Sequence, residues 1–168
     1  AGSSIRITGV KGIRMITGVP SDRRDKLMGD GIEGYTLEEY GTIVAWESEL
    51  GGDDLTLDHE AKKGNYAYKK GVADPIYDRV GGNVQYTNVL VGFSNDQCVP
   101  DLVMRSYMVL TDAEGNSHVI YGGPVQRSIG YIAYQNRLIF SPGSDSYNYI
   151  WDIIHHVYGD KYDADFKK

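Results

Sequence analysis

Four histidines, a single cysteine and two short groups of aspartates are the side chains of this sequence best suited to chemistry beyond packing. His59, His118, His155 and His156 do not assemble into a zinc motif. His155 and His156 are adjacent in a stretch with helical spacing, where neighbours point roughly 100° apart and cannot easily share one ion. His59-Glu60 starts like the helix of a zinc protease but lacks a second His one turn later, and no cysteine pair completes a structural site. Asp53-Asp54 with Asp58, and Asp160, Asp163 and Asp165, offer the oxygen ligands that calcium takes, yet neither group has the spacing and glycine of a calcium loop. A solvated acidic surface is the simpler expectation, so calcium stays an unproven option and no cofactor is expected. Cys98, just before Val99-Pro100, reads as an inert buried thiol. The chain carries no nucleophile elbow, phosphate loop or dinucleotide fingerprint, so no catalytic residue is expected.

The aromatic composition is lopsided: 14 Tyr against 3 Phe and 2 Trp. Tyrosine suits the half-exposed faces of antiparallel strands, and it also suits binding surfaces. A sugar ring stacks on an aromatic face while Asp, Asn or Gln fixes its hydroxyls. Tyr66, Tyr68, Tyr77 and Tyr86 stand beside polar groups outside any helical pattern and are the candidate ligand-binding residues.

Strands must position most of these groups. Ile5 to Val10 and Ile13 to Val19 alternate as strands, and Val19-Pro20-Ser21-Asp22 turns the chain into a short helix capped by Ser21 and ended by Gly29. Glu39 to Trp46 alternates, with Tyr40, Thr42, Val44 and Trp46 on one face. Glu47 to Lys63 reads as a long acidic loop with a short strand at Leu55-Thr56-Leu57, and such loops often carry function. Asn65 to Lys69 and Val84 to Phe93 are further strands, with turns at Asp74-Pro75 and Gly81-Gly82. Leu102 to Thr111 and Ser117 to Tyr121 flank Asp112-Ala113-Glu114-Gly115-Asn116, a hairpin closed by a left-handed Gly115. From about residue 125 the spacing turns helical: Ser128 caps one helix, and Tyr147, Ile150, Trp151, Ile154, Val157 and Tyr158 form the stripe of another that Gly159 stops. Trp151 is expected in the core and His155 turned away from it.

The fold class is therefore mainly β (α+β): residues 1–168 as one antiparallel β-sandwich domain with a C-terminal helical extension over about 125–160. At 168 residues the chain can bury a core, and 41% hydrophobic with 24% charged residues is a globular balance. A net charge of −6 argues against nucleic acid and anionic membranes as partners. No run is long and apolar enough to span a bilayer, so membrane insertion is not expected. The start at Ala1-Gly2-Ser3-Ser4 lacks a signal layout and reads as a segment excised from a longer protein.

Ser4-Ile5-Arg6 with Gly12-Ile13-Arg14-Met15, Glu39-Tyr40-Gly41-Thr42-Ile43-Val44, Arg105-Ser106-Tyr107 with Asp112-Ala113-Glu114-Gly115-Asn116 and Ile120-Tyr121-Gly122, and Arg127-Ser128-Ile129 with Ile132-Ala133 together carry a resemblance. The chain resembles a poorly characterised module of large secreted or wall-attached proteins of anaerobic gut and rumen Gram-positive bacteria. The resemblance implies an immunoglobulin-like sandwich and a secreted or cell-surface location beside glycan-degrading or adhesive modules. It transfers no catalytic residue. The expected function is a non-catalytic, glycan-binding or adhesive module whose partners are polysaccharides, host or plant glycans and neighbouring modules of the same protein. A structural spacer or protein-docking module is the alternative, and a glycoside hydrolase or esterase the third reading.

Overall fold

The structure is a computed structural model and describes residues 2–59, 71–72 and 77–165. The chain runs β1 (Gly2–Arg6), β2 (Gly12–Pro20), α1 (Ser21–Met28), β3 (Thr36–Trp46), β4 (Gly71–Val72), β5 (Asp78–Val80) and β6 (Asn83–Val91). It continues through β7 (Asp101–Thr111), β8 (Ser117–Tyr121), β9 (Val125–Ser128), α2 (Ile129–Asn136) and α3 (Asp145–Asp165). One sheet has the order β1-β2-β6-β5 and the other β4-β3-β7-β8, with β9 beside the first half of β7. Every pairing is antiparallel, so the fold is mainly β with three helices among the described residues.

Alternation decides which side chains meet between the sheets. In the first sheet Ile13 lies opposite Leu90, Thr17 opposite Tyr86 and Val19 opposite Val84. In the second, Val44 lies opposite Met104 and Tyr40 opposite Met108. Ile13, Met15 and Leu90 pack with Val44, Leu102 and Met104 in the main core. Val19, Tyr40 and Tyr86 form a smaller cluster, and the Tyr86 hydroxyl donates to the carbonyl of Gly41 across the sheets at 3.1 Å.

The other face of β3 and β7 is also covered. Ile43, Ala45, Val103 and Tyr107 pack under Leu50 and Leu55 of the acidic loop. The strand expected at Leu55-Thr56-Leu57 does not form; Leu55 is an apolar anchor, and the Leu57 N–H donates to the Tyr121 hydroxyl at 2.8 Å. Side-chain burial competes with pairing here and wins. The strand expected over Asn65 to Lys69 lies outside the described residues.

Helix ends differ from expectation in two places. Ser21 is the first helical residue of α1 and not its cap, since Pro20 occupies that position without a side-chain hydrogen bond. Residues 125–128 pair with β7 as β9, so the helical segment begins at Ile129. Ser128 then caps α2 by accepting the Tyr131 N–H at 3.0 Å, and Ser144 serves α3 by accepting the Tyr147 N–H at 3.2 Å. At Gly159 (φ 48°, ψ −133°) the backbone leaves helical geometry, so the first helical run of α3 stops there as expected and a second short run follows the kink.

Both C-terminal helices belong to the core. Ile129, Ile132 and Ala133 of α2 and Ile150, Ile153 and Ile154 of α3 complete it against β1, β2 and β7. Trp151, expected inside, is only half-buried at the edge of this stripe; Ile153 takes the inward place.

Candidate functional site

The two described candidate tyrosines lie in different environments. Tyr86 is 1% exposed, and its ring meets that of Tyr40 edge-on at 4.8 Å. Burial pushes its phenol up to about 12, partly offset by a hydrogen bond with Thr17. A ring so enclosed is a core element and offers no face to a sugar. Tyr77 is 48% exposed; the Arg14 guanidinium lies 4.8 Å from its ring centre and donates to its hydroxyl at 2.9 Å. Since Ile13 and Met15 on either side of Arg14 point inward, Tyr77 stands on the outer side of the first sheet, away from Tyr86. Tyr66 and Tyr68 lie outside the described residues.

A different aromatic surface is built on α3. Residues four apart on a helix project along one line at about 6 Å steps. Tyr147 and Trp151 have ring centres 5.4 Å apart, and Trp151 and His155 have theirs 5.7 Å apart. The rings are inclined by 41° and 63°, which makes the strip a twisted one. Asn148 and Asp152, both exposed, flank it, and the five side chains line a shallow concavity of about 420 Å³. Such a strip can stack the apolar face of a ring-shaped ligand while an amide and a carboxylate bind its hydroxyls. The signal that could have found it is the i, i+4, i+8 spacing, which sequence reasoning spent on the core.

A second concavity, of about 450 Å³, opens between α1, the segment after it and the inner face of β7 and β8. Leu27, Ile32, Tyr35, Met108, Leu110 and Ile120 give it an apolar lining, with Arg23 and Glu33 as exposed charges on it.

The first acidic cluster is solvent-exposed, as expected, with a basic side chain near two of its carboxylates. Asp53 lies 3.8 Å from His59 and Asp54 3.9 Å from Arg105. Among the described residues no group of three or more His, Cys, Asp or Glu is placed to hold a metal ion. Burial pushes the Cys98 thiol up to about 11, away from the thiolate that a nucleophile needs. Among the described residues, no helix is long and apolar enough to cross a membrane. No family model, curated protein or solved structure matches the chain.

Proposed function

We propose that this chain is a non-catalytic, extracellular module that binds glycans through the Tyr147, Trp151 and His155 strip, within a larger secreted or cell-surface protein. The observation that supports this reading is the strip itself: three rings in contact along one helix, half-buried or exposed, with Asn148 and Asp152 at their side. Stacking supplies affinity without a deep cleft, and the flanking groups supply orientation. An immunoglobulin-like layout belongs to the same proposal, supported by two antiparallel sheets that share one core.

Affinity electrophoresis against plant and mucin polysaccharides, preceded by a glycan array, tests it. The expected outcome is retardation by at least one polysaccharide, lost in Tyr147→Ala and in Trp151→Ala but kept in Tyr77→Ala, with circular dichroism unchanged. No retardation on any glycan contradicts the proposal; loss only in Tyr77→Ala moves the site to the outer side of the first sheet.

The spacer or docking reading has its own support, because several tyrosine hydroxyls are spent inside the protein. Tyr107 donates to Glu39 at 2.6 Å, and Tyr40 accepts from Arg24 at 3.1 Å. These account for part of the tyrosine excess as structure and leave the α3 strip unexplained.

A further inference from the structure

The edge strand β8 differs from other exposed edges in a way that points to a partner. Its residues Ser117, His118, Val119, Ile120 and Tyr121 include no charged residue other than a histidine and no proline. Val119 is 41% and Ile120 49% exposed. Exposed edges are ordinarily protected by charges, proline or bulges against pairing with another chain. The edge strand β5 carries Asp78 and Arg79, and β1 ends on Arg6. β8 carries none of these devices and ends its sheet among the described residues.

The hydrogen-bond pattern fixes what the edge presents. The Asp112 N–H donates to Asn116 O at 3.0 Å, and the Gly122 N–H donates to Ser106 O at 2.9 Å. Both belong to the register that sets Leu110 opposite His118 and Met108 opposite Ile120. In an antiparallel ladder bonded and non-bonded pairs alternate, so His118 and Ile120 are bonded to β7. Ser117, Val119 and Tyr121 therefore turn their N–H and C=O groups outward. Val119 is the middle of the strand, and the outward groups of Ser117 and Tyr121 are placed symmetrically about it.

We propose that β8 pairs antiparallel with β8 of a second copy of this chain, about a two-fold axis through Val119. Val119 then exchanges both backbone bonds with Val119 of the second copy, and Ser117 exchanges both with Tyr121 of the second copy, on each side of the axis. The pattern complements itself, as a two-fold interface demands. Ile120 comes beside His118 of the second copy on the inner face, where the apolar groove adjoins the edge. The Asp112 carboxylate holds His118 at 2.8 Å, so no unpaired charge faces Ile120. Each copy contributes a five-stranded sheet, so continuity of the ladder gives a ten-stranded sheet across both copies. A five-residue pairing is small beside a standard interface, so the association is a concentration-dependent equilibrium and not an obligate dimer. This inference does not rest on the glycan reading, although a dimer presents two α3 strips and so raises avidity.

Sedimentation velocity of the full chain over a concentration series is the direct test, with a reversible monomer–dimer equilibrium expected. Val119→Pro removes an outward N–H that β7 does not bond, and edge strands tolerate such a proline. Val119→Lys sets two like charges against each other across the axis. Each is expected to raise the dimer dissociation constant by about tenfold or more, with Val119→Thr as the neutral control. Hydrogen exchange needs no variant: the Val119 and Tyr121 amides slow as wild-type concentration rises, while the Ile120 amide, already bonded to β7, does not. A chain that stays monomeric at every concentration overturns the proposal, whether or not the edge captures an unrelated extended peptide. A dimer untouched by folded Val119→Pro and Val119→Lys variants, or exchange at Val119 independent of concentration, overturns it equally.

Discussion

At the tip of the β7–β8 hairpin one carboxylate gathers most of the available donors. Asp112 takes a contact from the His118 ring at 2.8 Å, backbone N–H bonds from Asn116 at 2.8 Å and Glu114 at 3.0 Å, and the Asn116 amide at 3.1 Å. These bonds, His118 first, hold the carboxyl at about 2, below its ordinary 3.8. A folded-state value below the unfolded one contributes stability that is present above about pH 4 and lost as pH falls through about 2. Thermal melts over that window should show wild type losing stability more steeply than Asp112→Asn, and parallel curves would sink the assignment. Cys98 makes a second test: with its thiol at about 11, a disulfide reagent at neutral pH should label it only after denaturation. Its burial was legible from its place beside an apolar strand. The burial of Tyr86 was not. Alternation groups Tyr86 with Asn88 and Leu90, but Thr87, Val89 and Val91 are apolar enough to make either face a candidate for the core.

Among the elements, α3 shows how far a periodic pattern reaches. Its apolar residues Tyr147, Ile150, Trp151, Ile153, Ile154, Val157 and Tyr158 cover so wide an arc that spacing establishes a helix without establishing which residues of the arc point inward. Contact with α2 settles the direction. A Cβ on Gly130 would lie 2.7 Å from Cγ1 of Val157, so this glycine lets the two helices approach. Gly130→Ala should lower stability by about 1–3 kcal/mol through overpacking. Adding Val157→Ala should recover part of that loss, a non-additivity that a denaturant series on both single variants and the double variant would read. Ile154→Ala empties a fully buried site and should cost about 2–5 kcal/mol. Half-buried Trp151→Ala should cost less, and the reverse order would mean that the strip is core after all.

On the scale of the whole molecule, the second sheet is buried on both faces by two different kinds of cover. The sandwich face is held by sheet and helix packing, whereas the outer face is covered, among the described residues, by the acidic loop, chiefly through Leu50 and Leu55. Sequence showed the loop and its acidity but not its attachment, because the fastening is long-range. Arg105 donates to Leu55 O at 3.2 Å and Gly122 O at 2.9 Å, and its guanidinium stacks 4.6 Å from the Tyr121 ring. The Tyr121 hydroxyl in turn accepts the Leu57 N–H. Clusters under long loops are satellites of a main core and can open on their own. Arg105→Met keeps the aliphatic stem and removes the donors. Amides of the loop, Leu57 above all, should then exchange roughly tenfold faster or more, as expected for each charged-donor bond lost. Amides in β2 and β6 should keep their protection, because the main core is untouched. If they accelerate in step with Leu57, the loop and the sandwich open as one cooperative unit and Arg105 fastens the entire fold.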